Sequence, residues 1–98
     1  MLQYTVALFF NPYFFTSMHF YAYILRSEKD LRYYYGSTED LQKRLSTHNK
    51  GEVKATKYRR PLNVHYYEIF ETRSEAFRRE HFFKSVDGYR FLKEKGII

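Results

Sequence analysis

Three consecutive tyrosines, Tyr33-Tyr34-Tyr35, run directly into Gly36 and then into Ser37-Thr38-Glu39-Asp40. Tyrosine favours strands, where the ring packs and the hydroxyl projects. Alternate strand residues point to opposite faces, so Tyr33 and Tyr35 share one face while Tyr34 and Gly36 share the other. Upstream, Phe20–Arg26 is a second aromatic and apolar run in which Tyr21 and Tyr23 share a face. The polar residues Ser27–Asp30 separate the runs by no more than a turn. An antiparallel hairpin of Phe20–Arg26 with Arg32–Ser37 is the arrangement this pattern predicts. Gly36 beside Tyr34 marks a place where another backbone or a ligand comes close.

The rest of the chain punctuates itself. Ser37 or Thr38 is predicted to cap a helix, with Glu39 and Asp40 in its first turn. That helix runs to about Asn49 and stops near Gly51. Residues 50–61 read as a basic loop ended by Pro61, and Leu62–Phe70 as a third strand. Thr72-Arg73-Ser74-Glu75 fits a capping box and opens a second helix that reaches about Ser85. Asp87-Gly88 breaks it, leaving Tyr89–Lys95 as a short last helix. The order ββαβαα predicts an α+β fold, a small three-stranded antiparallel sheet with flanking helices. At 98 residues, 44% of them hydrophobic, the chain has one core and no room for a second domain.

Charge divides the chain sharply. Residues 1–17 carry none, and six of them are aromatic. Without a basic start, and with Asn11-Pro12 interrupting the apolar run, this leader does not resemble a signal peptide. It is also shorter than the roughly 20 residues of a membrane span. Two readings stand: an upstream extension preceding a native start at Met18, or an added strand covering an apolar face. Residues 18–98 form the single charged domain. Within it, Lys43, Arg44, Lys50, Lys54, Lys57, Arg59 and Arg60 face only Glu52 between positions 43 and 60. Seven minus one is +6, the net charge of the whole chain. Such a segment suits a polyanion, most simply a phosphate backbone, or else is a solvated loop.

Some chemistries are excluded. With no cysteine there is no disulfide scaffold, thiolate zinc site or thiol nucleophile, and the composition is compatible with the cytoplasm. The histidines His19, His48, His65 and His81 lack zinc spacing, and no glycine-rich phosphate loop precedes a helix.

Polar residues stand where the core is expected. At about 100° per residue, Arg44 and His48 fall on the face that Leu41 and Leu45 turn inward. Glu80 falls inside the apolar stripe of the second helix, beside Ala76 and Phe83. A carboxylate there needs a cation, either a metal or a basic side chain such as Arg44, Arg73 or Lys84.

Taken together, these residues resemble the GIY-YIG nuclease family over about Phe20–Lys95. The two signature tripeptides correspond to Tyr21-Ala22-Tyr23 and Tyr34-Tyr35-Gly36. The family's helix arginine matches Arg44, a frequent histidine matches His48, and its metal-binding glutamate matches Glu80. Thr56-Lys57-Tyr58-Arg59-Arg60-Pro61 is similar to the loop of small stand-alone bacterial members. Tyr21 and Tyr35 replace the more usual glycine and isoleucine or valine, and no asparagine follows Asn63, where many members carry one after the glutamate helix.

The resemblance implies an endonuclease that hydrolyses DNA phosphodiesters with one divalent cation, Mg²⁺ or Mn²⁺, in DNA repair or the processing of structured DNA. In it Glu80 holds the metal, Arg44 grips a phosphate oxygen, Tyr23 or Tyr34 handles the water's proton, and His48 assists. Lys43, Lys50, Lys54, Lys57, Arg59 and Arg60 would hold the nucleic-acid backbone. A targeting partner or self-association would supply selectivity. The alternatives are a nuclease-fold module that binds nucleic acid without cutting it, and an interaction domain in which Arg44 and Glu80 simply pair.

Overall fold

The computed structural model describes residues 19–98; both readings of the leader lie outside the described residues. Six elements follow in the order β1 (Phe20–Ser27), β2 (Tyr33–Thr38), α1 (Leu41–Asn49), β3 (Leu62–Phe70), α2 (Arg73–Phe83) and α3 (Val86–Glu94). The sheet order is β2-β1-β3, and both pairings are antiparallel. The fold is therefore α+β with a three-stranded antiparallel sheet, as the alternation of patterns predicts.

Strand parity sends side chains into two cores. Ala22, Ile24 and Tyr66 pack with Phe83 of α2 and Leu92 of α3 on one face. Tyr23, Leu25 and Leu62 pack beneath Leu41 and Leu45 of α1 on the other. β1 lies in the middle with four consecutive buried residues, Ala22–Leu25, because it faces helices on both sides. A register shift in β3 opposite Ile24 and Leu25 adjusts the pairing near its start.

β1 and β2 shift by a single residue from expectation, to Ser27, Tyr33 and Thr38, and several helix boundaries differ for local reasons. Ser37 and Thr38 do not cap α1; they stay in β2, paired with Ala22 and Tyr21. The cap is Asp40, whose carboxylate accepts from the Lys43 amide, so Glu39 and Asp40 precede the first turn instead of filling it. Helix α2 opens on the expected Thr72–Glu75 capping box but ends at Phe83, because Ser85 is already the N-cap of α3. Asp87 and Gly88 consequently lie inside α3. Gly88 is a close-approach residue, since a β-carbon there would fall 1.7 Å from the Phe82 carbonyl oxygen. Gly51, with φ +82°, closes α1 as predicted.

Candidate active site

Tyr23 is the centre of the arrangement. It sits in the middle strand opposite Gly36, is 1% exposed, and its ring lies across Gly36 of the edge strand. A β-carbon at position 36 would fall 2.4 Å from the Tyr23 hydroxyl. The close approach at Gly36 is thus made by this side chain, neither by a backbone nor by a ligand. Arg44 Nε donates to the Tyr23 hydroxyl at 3.4 Å, and His48 Nε2 lies 3.3 Å from it. Both come from α1, one turn apart on the same face.

The electrostatics follow from burial. Burial raises the Tyr23 phenol above its usual value; the Arg44 hydrogen bond and charge oppose this, and the fields of Tyr34 and Glu80 add to it. Arg44 is pushed further up by its hydrogen bond to Tyr23 against the penalty of burial, with Tyr34 also contributing. His48 is fully buried, and burial, then the Arg44 charge, lower it to about 4. Its imidazole is neutral at neutral pH, so one ring nitrogen carries a proton and the other a lone pair. His48 Nδ1 lies 2.7 Å from the hydroxyl of buried Thr56. Thr56 thus extends the polar chain from the basic loop to Tyr23.

Tyr34 stands beside this cluster, its ring centroid 5.0 Å from that of His48. Glu80 approaches from α2, on the opposite face. Ser37 Oγ donates to its Oε1 at 2.8 Å, and Lys84 Nζ meets its Oε2 at 2.8 Å. Of the cations that spacing allowed, Lys84 therefore forms the ion pair; Arg73 pairs with Glu39, and Arg44 pairs with no carboxylate among the described residues. Gly36 and Ser37, adjacent on the edge strand, face opposite sides. One makes room for Tyr23 and the other holds Glu80. The two faces thus meet their polar groups at neighbouring positions of one strand.

Among the described residues no group of three or more histidine, aspartate or glutamate side chains could hold a metal. Glu80 offers a largely buried, hard carboxylate, its side chain 13% exposed. That donor set fits Mg²⁺ or Mn²⁺, since Mg²⁺ keeps several waters and is commonly bound through one or two carboxylates plus substrate phosphates. A cation held there would have to displace Lys84, whose side chain is half exposed.

The basic residues divide. Lys43 lines a groove of about 190 Å³ with Arg44, Thr38 and Thr47. Lys50, Lys54 and Lys57 are exposed. Arg60 is exposed but its Nε donates to the Lys57 carbonyl at 2.8 Å. Arg59 is committed differently: it pairs with Asp30 at 2.8 Å, and this bond holds the Asp30 carboxyl well below its ordinary value. Arg59 anchors the loop as well as adding charge. Periodicity could not reveal Thr56 and Asp30, which meet their partners only through the folded loop. Ser37 was within reach of strand parity, which places it with Tyr35, but its hydroxyl reads equally as a cap.

Residues 19–90 match the GIY-YIG catalytic domain. A UPF0213 protein of Bacillus velezensis is 44% identical over 72 residues, covering 72% of this chain and 71% of the relative. Another, from Staphylococcus saprophyticus, is 42% identical over 74 residues, covering 74% and 89%. The solution NMR structure of a UPF0213 protein from Bacillus halodurans shares 32% identity over 79% of this chain and 84% of its own, with a TM-score of 0.47. Among the described residues no helix is long and apolar enough to cross a membrane. With its two tripeptides, arginine and glutamate within the matched span, the chain belongs to the GIY-YIG catalytic domain family, a nuclease family acting on nucleic acid.

Proposed function

We propose that this protein is an endonuclease that hydrolyses DNA phosphodiesters with one divalent cation, Mg²⁺ or Mn²⁺, acting in the cytoplasm on repair intermediates or structured DNA. The observation that carries this reading is the meeting of Arg44 and His48 at the Tyr23 hydroxyl, within the field of Glu80. A cation held by Glu80 supplies stabilisation of charge developing on the phosphate and the leaving oxygen.

Arg44 binds a non-bridging phosphate oxygen through its planar fork, a task lysine performs less well. The attacking water must lose a proton. Tyr23 is a neutral phenol at neutral pH, so its oxygen takes that proton only as its own passes onward. When His48 Nδ1–H donates to Thr56, the Nε2 lone pair faces Tyr23 and receives it. A bound phosphate neutralises Arg44, one of the two causes holding His48 down, and so makes the imidazole a better acceptor. The water oxygen bonds to phosphorus, the bond to the leaving oxygen breaks, and that oxygen takes a proton from solvent. One water is consumed for each bond cut. Tyr34, packed against His48, is the alternative phenol for the same task.

The test is cleavage of labelled duplex, single-stranded, flapped and branched DNA, and of RNA, by wild-type protein and Glu80→Ala in Mg²⁺, Mn²⁺ or EDTA. Metal-dependent cutting of DNA that disappears in a folded Glu80→Ala supports the endonuclease. A second reading, a module that binds nucleic acid without cutting it, is favoured by the lack of any asparagine after Asn63 and by Lys84 lying on Glu80. Binding without cutting under every condition would select it.

A further inference from the structure

We propose that Tyr58 is a stacking platform for an unpaired nucleobase beside the phosphate bound at Arg44, so that the preferred substrate is a single or locally opened strand. This rests on the nucleic-acid reading above. Tyr58 is 75% exposed, the most exposed of the large apolar side chains among the described residues. Exposure alone is ordinary; the setting is not. Tyr58 lies within a turn closed by the Arg59 amide on the Thr56 carbonyl at 2.9 Å.

That turn is tied down on both sides. Thr56 Oγ1 meets His48 at 2.7 Å, Ser27 Oγ donates to the Arg59 carbonyl at 2.6 Å, and Arg59 pairs with Asp30. The backbone beneath the ring is therefore held, so stacking costs little loop ordering. The Lys57 ammonium lies 5.3 Å from the ring centroid, while Lys54 and Arg60 supply further exposed charge nearby. An exposed aromatic on a held turn, with a cation beside it, combines stacking with backbone attraction, the two elements of single-strand binding. In the chain Tyr58 follows Thr56 by two residues, and Thr56 touches the same His48 that meets Tyr23. Bases in an intact duplex are already stacked, and presenting one to Tyr58 would require unstacking it. An opened strand offers the same phosphates plus a free base face.

The experiment uses the full chain in EDTA, so that binding is read without cleavage. A single strand carrying 2-aminopurine and the same sequence fully paired are titrated with wild type, Tyr58→Ala, Tyr58→Phe and Tyr58→Trp. Circular dichroism and Tm check that each variant folds. Expected are a loss of about 10-fold or more on the single strand for Tyr58→Ala, a change under about 2-fold on the duplex, and retention by the two aromatic variants. Quenching of 2-aminopurine should occur with wild type and fade with Tyr58→Ala. Equal loss on both substrates, no loss on either, or loss with Tyr58→Phe would overturn the stacking role while leaving nucleic-acid binding intact. A folded wild-type chain that binds neither substrate would instead overturn the nucleic-acid reading on which it rests.

Discussion

A single missing methyl group positions the candidate site. Gly36 has no β-carbon, and the Tyr23 ring occupies the space one would need, with Cζ 2.5 Å from its ideal position. Tyr23 is buried and cannot swing into solvent. Gly36→Ala should therefore push the phenol away from Arg44 and His48, lowering stability by about 1–3 kcal/mol. Misplacement on this scale should slow cleavage by about 100-fold. Urea unfolding and single-turnover rates measure the two effects; unchanged values in both would refute the packing argument. His48 has a second signature. Its folded-state value of about 4 lies below the ordinary 6.5, so between them the unfolded chain binds a proton that the folded chain refuses. Stability should fall as pH drops through that window, by up to about 3 kcal/mol. His48→Gln, which cannot titrate, should flatten this part of the profile in urea titrations at successive pH values. Arg44, His48 and Glu80 were legible because each breaks an apolar helical stripe. Thr56 breaks no pattern, and only the loop's return to α1 gives it a partner.

At the scale of elements, signals carried by a few adjacent residues were the ones that sequence revealed. The bounds of β3 and the Thr72–Glu75 box depend on neighbours in the chain and match the structure. The cap of α1 and the α2–α3 junction depend on competition. Ser37 and Thr38 are adequate caps, but pairing with β1 claims them first. Gly88 reads as a breaker, yet α3 needs a residue without a side chain where it crosses the end of α2. The sequence marks Asn49 only as the end of α1. Its side chain also donates to the Leu62 carbonyl at 2.9 Å and accepts from the Leu62 amide at 2.8 Å. It thereby pairs the start of the edge strand β3, whose Leu62 side chain is fully buried. Asn49→Ala should leave both backbone groups without these partners and cost about 2 kcal/mol. Asn49→Asp keeps the acceptor for the Leu62 amide but sets a second carboxylate oxygen against the Leu62 carbonyl, so it should recover little of that loss. Denaturant midpoints order the three proteins, and equal midpoints would mean that water replaces the side chain fully.

For the whole molecule, the topology joins what the sequence keeps apart. Glu80 and Tyr23 belong to opposite faces of the sheet, and no periodicity relates positions 23 and 80. They are brought to the same candidate site because β2 is an edge strand whose adjacent residues, Gly36 and Ser37, reach one each. The charge pattern is read more directly, since Lys43–Arg60 carries a net charge equal to that of the entire chain. The structure divides its labour: Lys43, Lys50, Lys54 and Lys57 project outward, whereas Arg59 braces the loop against Asp30. If the free lysines meet phosphates, each contact should contribute about 0.9 to the slope of log affinity against log salt on duplex DNA. The double replacement Lys50→Ala with Lys54→Ala should then reduce that slope by about 1.8. Tyr58→Ala, which removes no charge, should leave the slope unchanged. Arg59→Ala should both lower the slope and loosen the loop, detected as faster amide exchange between positions 53 and 60. A slope that ignores the lysine pair would move the binding surface elsewhere, because a backbone contact cannot be lost without losing the counterion release that accompanies it.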